Sequence, residues 1–196
     1  MTLKNTPERW GAVSQAFHWL VVLLILAVAT VGLVMDELPR TPKYFWVYTA
    51  HKSLGITVLA LMLLRLAWRL YAGAAPPLPG TPRWQRAVAS ATHWALYVLA
   101  LAMPLSGWLY DSASGLRPFR WFGLFTMPRL TGPNEWLADR ARDAHELLFL
   151  LLVALVVLHA AAALWHHLIV RDETLARMLP RRRTRTPEPE DPDHDA

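Results

Sequence analysis

Seven of the eight histidines lie in or at the ends of long apolar stretches, where an ionisable side chain is costly and is therefore a functional candidate, and four of the seven are matched in depth by the topology. These four are His18, His51, His145 and His159. The 196-residue chain has no cysteine, which excludes cysteine-ligated clusters, thiolate zinc sites, disulfides and a covalent C-x-x-C-H haem site. Any redox centre must therefore use histidine, methionine or carboxylate ligands.

The spacing of the last two histidines is informative. Fourteen residues separate His145 from His159, and at about 100° per residue they return to within about 40° of the same helix face. The same separation corresponds to a rise of about 21 Å. One helix would therefore present two imidazoles at two depths.

The elements that must position these side chains are predicted from the apolar residues, which make up 54% of the chain. They form four blocks, each about long enough to cross a hydrocarbon core of about 30 Å. The predicted fold is all-α, a four-helix transmembrane bundle in one domain at residues 6–181, followed by a disordered charged tail at 182–196. We predict the helices at residues 15–35, 50–70, 87–110 and 144–170.

The distribution of charge predicts the orientation. Twelve of the 20 basic residues lie on the side that holds both termini, so the positive-inside rule places the termini in the cytoplasm. The basic run at residues 181–185 is expected to meet lipid headgroups rather than nucleic acid.

Alternation of the helices pairs the histidines by depth. His51 shares the outer depth with His145, and His18 shares the inner depth with His159, although His93 could compete with His18. Two axial imidazoles on low-spin iron suit electron transfer, whereas structural zinc prefers four tetrahedral ligands. We therefore predict two non-covalent haem b groups, one near each membrane face.

Other polar residues near the membrane faces have two interpretations each. Arg65 could pair with propionates of the inner haem and Lys52 with those of the outer haem, but both could equally be interface anchors. His166 and His167 could line a substrate pocket, or they could lie at headgroup level without a function.

Several motifs at residues 6–181 give the chain a resemblance to the bacterial cytochrome b561 family, and within it to the small di-haem superoxide:ubiquinone oxidoreductases. The motifs that carry the resemblance are Phe17-His18-Trp19, His51-Lys52-Ser53-Leu54-Gly55-Ile56, Ala144-His145-Glu146, and the stretch from Leu158-His159 to His166-His167. In that family the haem ligands come from helices one, two and four. The resemblance therefore implies His18, His51, His145 and His159 as ligands, and it demotes His93.

The resemblance also implies a reaction, in which superoxide is oxidised at the outer haem and ubiquinone is reduced in the membrane. His166 and His167 are then the quinone candidates. Superoxide is a small anion, so the predicted outer cations would attract it. They include Lys52, Arg117, Arg120, Arg140 and Arg142. The alternative function is a membrane-anchor subunit that relays electrons between quinone and a dehydrogenase or hydrogenase partner, and a histidine-lined transporter is a third interpretation.

Overall fold

Four long helices form the fold in a computed structural model, which describes residues 2–39, 41–116 and 118–180. Arg117 and the predicted tail at 182–196 lie outside the described residues. The helices are α1 (Ala12–Asp36), α2 (Phe45–Ala72), α3 (Arg83–Ala113) and α4 (Glu135–Trp165), and α4 continues as a π-helical turn at His166–Val170. Short 3-10 turns lie at Pro42–Tyr44 and Ala176–Met178.

All four helices are long and apolar enough to cross a membrane, as predicted. They extend beyond the predicted limits, because α2 begins at Phe45 rather than residue 50 and α4 begins at Glu135 rather than residue 144. Apolarity identifies only the part of a helix that lies in hydrocarbon, so the charged stretch at residues 135–143 of α4 was not included. Asn134 caps α4, and its side-chain oxygen accepts a hydrogen bond of 2.9 Å from the Leu137 N–H.

The helices pack in chain order, with close contacts of α1 on α2, α2 on α3, and α3 on α4. Within the described residues, neither α1 nor α2 packs closely along α4. A small core lies between the helices and includes Val58, Met62 and Leu152. Outward-facing side chains such as Leu23 and Leu150 are 64% and 65% exposed, which is the pattern of a bundle whose outer surface meets lipid.

A two-stranded hairpin interrupts the connection between α3 and α4, and the sequence did not predict it. Its strands are β1 (Arg120–Trp121) and β2 (Phe125–Thr126), paired antiparallel. The Trp121 indole N–H donates to the Thr57 hydroxyl (3.2 Å), and the Phe122 backbone N–H donates to the Ser53 hydroxyl (3.0 Å). Because Ser53 is fully buried, these bonds fix the hairpin against α2.

At the opposite end of the bundle, Arg177 joins three segments that are distant in sequence. Its guanidinium donates to the carbonyls of Pro7 (2.6 Å), Glu8 (2.8 Å) and Pro76 (2.9 Å). The side chain is buried, and its own carbonyl accepts from the Gln15 amide at 3.2 Å. The N-terminal segment, the α2–α3 linker and the chain after α4 are thereby held together.

Replacing Arg177 tests this junction. Arg177→Met should lower the free energy of unfolding by about 3 kcal/mol or more, because hydrogen bonds to charged groups contribute about 1.5–3 kcal/mol each. Thermal unfolding of the purified protein in detergent measures the change. Arg83→Met, at an exposed position of α3, is the control. Equal effects of the two substitutions would contradict a specific role for Arg177.

Candidate functional site

The structure brings the four predicted histidines together in two pairs, each with a partner on α4. The ring centres of His51 and His145 are 6.2 Å apart, and those of His18 and His159 are 6.4 Å apart. We call His51 and His145 the outer pair, and His18 and His159 the inner pair. Both pairs cross between helices that do not pack closely, so each pair bridges a space in the bundle.

The separation of the rings can be compared with that of two imidazoles on one metal ion. Metal–nitrogen bonds of about 2.0 Å, with about 1.1 Å from each nitrogen to its ring centre, place the centres about 6.2 Å apart. Both pairs fit this distance. No group of three or more metal-ligating side chains occurs within the described residues. A cofactor that brings four nitrogens of its own and takes two axial imidazoles suits such pairs.

Hydrogen bonds leave the outer pair ready to bind metal. His51 Nδ1 lies 3.1 Å from the Val28 carbonyl oxygen, and His145 Nδ1 lies 3.0 Å from that of Met103. A carbonyl only accepts, so Nδ1 carries the proton in each ring and Nε2 keeps its lone pair. A metal-binding histidine usually donates the N–H of its other ring nitrogen to a carbonyl or carboxylate in this way.

Two glycines allow the outer rings to sit where they do. A Cβ placed on Gly32 would come within 2.9 Å of the His51 ring, and one placed on Gly107 would come within 2.9 Å of the His145 ring. The sequence analysis missed both residues. Glycine in a membrane helix is a visible signal, but only the packing of α1 on α2 and of α3 on α4 shows which glycine faces a histidine.

Small residues also leave open space beside the outer pair. Gly55 lies one helical turn after His51 on α2, and a Cβ placed there would meet nothing within 4 Å. Gly55 is one of the residues in the motifs that indicated a haem protein. Open space next to an imidazole is what a flat macrocycle requires.

The inner pair has a different environment. His18 Nδ1 accepts a hydrogen bond of 3.0 Å from the Arg65 guanidinium, which also lies 5.4 Å over the Tyr97 ring. His93 is close as well, with its ring centre 5.3 Å from that of His159. That separation is shorter than a shared metal ion requires, whereas the His18 separation fits, so the geometry favours His18 over His93.

Lys52 forms an ion pair with Asp111 at the outer end of α2 and α3. The Asp111 carboxylate is mostly buried, with 13% of its side chain exposed, so the pair is shielded from water. The predicted partnership of Lys52 with a haem propionate stays a prediction, and Asp111 is the competing partner.

The two quinone candidates have different surroundings. His166 Nδ1 lies 2.5 Å from a carboxylate oxygen of Asp172, whereas His167 is exposed. Partial burial opposes ionisation of Asp172, but hydrogen bonds from Thr174 and His166 outweigh it and hold the pKa of that carboxyl below its usual value. The π-helical turn and the left-handed conformation of Arg171 (φ 58°) bring Asp172 back onto His166.

Comparison with known proteins adds to this geometry. Residues 9–181 match the family described as prokaryotic cytochrome b561. The chain belongs to that family. Cytochromes b561 are membrane electron-transfer proteins that bind haem b, so the sequence-based resemblance is confirmed at the level of the family.

Three curated relatives align over nearly their whole length. The chain is 38% identical to cytochrome b561 homolog 2 of Escherichia coli (strain K12), with 91% of this chain and 95% of the relative covered. It is 33% identical to the probable superoxide oxidase CybB of Yersinia pestis (90% and 98% covered) and 32% identical to cytochrome b561 homolog 1 of Escherichia coli (strain K12) (90% and 99% covered).

The glycine contacts generate a prediction for this b561-family chain. Gly32→Ala and Gly107→Ala should each lower the haem-to-protein ratio, because the added methyl group displaces an imidazole of the outer pair. The ratio can be measured from the absorbance of the purified protein after conversion to pyridine haemochrome. Gly132→Ala is the control, since its Cβ would meet nothing within 4 Å. Unchanged haem content in both helix variants would show that the rings tolerate the shift.

Proposed function

We propose that the chain is a di-haem b oxidoreductase of the bacterial inner membrane, with both termini in the cytoplasm, which oxidises superoxide outside and reduces ubiquinone in the bilayer. The observation that supports two haems is that two histidines on one face of α4 each face a histidine of another helix. The ring centres are 6.2 Å apart in the outer pair and 6.4 Å apart in the inner pair. The superoxide part is supported by the name of the Yersinia relative.

In this proposal His51 and His145 hold one haem, and His18 and His159 hold the other. Haem b supplies one-electron storage at each pair. Val28 and Met103 keep the outer imidazoles in the tautomer that exposes Nε2. Arg65 supplies a cation beside the inner pair and is the candidate partner for a propionate there.

The overall reaction balances as two superoxide ions, one ubiquinone and two protons giving two molecules of O₂ and one ubiquinol. With His51 and His145 as its two protein ligands, an outer haem would offer superoxide no open coordination position and would supply one-electron, outer-sphere chemistry there. The reaction needs two protons at the quinone. His166, held by Asp172, is the better placed of the two quinone candidates to pass a proton, because the carboxylate orients its imidazole.

Cations on the outer side support attraction of superoxide, but several are paired with carboxylates. Lys52 pairs with Asp111, Arg140 with Asp143, and Arg142 with Glu146. Arg120 is exposed, and its guanidinium donates to the Leu124 carbonyl at 3.4 Å. The paired state of these cations is the observation that favours the second candidate, a membrane anchor that relays electrons between quinone and a dehydrogenase or hydrogenase partner.

Single substitutions of the histidines test the ligand assignment. His51→Ala and His145→Ala should each remove one haem and leave the other, and His18→Ala and His159→Ala should do the same at the inner pair. His93→Ala should keep both haems. The haem-to-protein ratio should therefore fall from about two to about one only in the first four variants. Loss of a haem in His93→Ala with retention in His18→Ala would overturn the assignment.

Superoxide-driven formation of ubiquinol tests the activity. Purified holoprotein with enzymatically generated superoxide and a short-chain ubiquinone should form ubiquinol, and superoxide dismutase should stop the reaction. If cations steer the anion, the rate should fall as ionic strength rises. Two haems without superoxide-dependent ubiquinol would favour the membrane-anchor function, and a protein without haem would exclude both functions.

A further inference from the structure

The charges around the two histidine pairs have opposite signs. At the inner pair, Arg65 contacts His18 and acts electrostatically on both His18 and His159. Arg69 lies one turn further along α2, with its guanidinium 5.7 Å over the Trp94 ring, and acts on His93. Of the described side chains, no carboxylate is among the charges that act on these inner histidines.

Carboxylates surround the outer pair instead. Asp36, at the end of α1, acts on both His51 and His145, and Glu146 acts on His145. Lys52 is the cation that acts on His51, and its charge is balanced by the ion pair with Asp111. Arg142 likewise balances Glu146, so Asp36 is the carboxylate that leaves the protein charge at the outer pair negative, whereas that at the inner pair is positive.

The hydrogen bonds at Nδ1 of the imidazoles also differ between the two pairs. The outer rings donate from Nδ1 to backbone carbonyls, which makes the opposite nitrogen a more electron-rich ligand. His18 Nδ1 instead accepts from the Arg65 guanidinium, which leaves the proton of the neutral ring on Nε2, so iron binding at Nε2 would require that proton to move to Nδ1 and the guanidinium to turn aside. Arg65 therefore bears on the inner site as a nearby cation and not through this hydrogen bond. Electron-rich ligands favour the oxidised state of a bound iron.

We propose that Arg65, with Arg69, gives the inner pair's haem the higher reduction potential, so that an electron received at the outer pair moves inward. This inference rests on the proposed function, in which each pair holds one haem. A reduced centre carries one more negative charge than an oxidised one, so it is stabilised beside cations and destabilised beside carboxylates. Each haem brings the same two propionates, so the difference between the sites is set by the protein.

The step is a single electron transfer. One electron would pass from a ferrous haem held by His51 and His145 to a ferric haem held by His18 and His159, so one iron would be oxidised as the other is reduced. No proton or other reactant is required. The electron therefore moves away from the face where O₂ is released and towards the end of the bundle that holds His166.

Potentiometric titration of the holoprotein, followed by haem absorbance, tests the inference. The wild-type protein should show two midpoints, and Arg65→Gln should lower the higher one, reducing the equilibrium constant for inward transfer about tenfold or more. Arg65→Lys retains the charge and should largely restore the midpoint. Arg83→Gln, at an exposed position on the same side, should change neither midpoint.

Substitution at the outer pair provides an independent measurement. Asp111→Asn leaves the Lys52 charge unbalanced and should raise the lower midpoint while the higher one stays in place. The one-haem variants His51→Ala and His159→Ala assign each midpoint to its pair. A higher midpoint in the protein that retains only the outer pair would overturn the inference and leave the di-haem function standing. Fewer than two haems in the wild-type protein would instead refute the proposed function.

Discussion

Each paired imidazole lies on a helix that is long and apolar enough to span a membrane, and each is only partly exposed. A ring in such a place is tolerable only when one nitrogen has a fixed hydrogen-bond partner and the other has a ligand to bind. In the outer pair the partners are the Val28 and Met103 carbonyls, and the Met103 carbonyl also accepts a hydrogen bond of 2.7 Å from the Ser106 hydroxyl. The helix backbone itself therefore sets the direction in which His51 and His145 point.

This requirement explains an uneven packing. The imidazoles must approach α1 and α3 closely, so glycine stands at positions 32 and 107. On their other side they must face open space, so α4 stands away from α1 and α2. Leu152 lies on α4 seven residues from each of its histidines and packs into the core with Val58 and Met62. An apolar core thus separates the two sites along the bundle.

The two ends of the bundle are closed by different means, and their charges differ. The hairpin at Arg120–Thr126 is fixed to α2 through Ser53, and Arg177 holds three segments together at the other end. Carboxylates lie near the outer pair and arginines near the inner pair. In the proposed orientation the arginines lie at the cytoplasmic face, and the same residues would favour an electron at that end of the bundle.

The sequence by itself predicted the four helices and the pairing of His51 with His145, and it excluded thiolate chemistry, but at the inner depth it left His93 as a rival to His18 for the partner of His159. It could do so because apolar length and helical periodicity are local properties, and alternation of the helices turns them into depth. Tertiary structure alone decided which glycines face the imidazoles, that Asp111 pairs with Lys52, that Asp172 returns to His166, and that a hairpin docks on Ser53. Those contacts join residues whose relative rotation and approach depend on how the helices pack, and no local pattern encodes that packing.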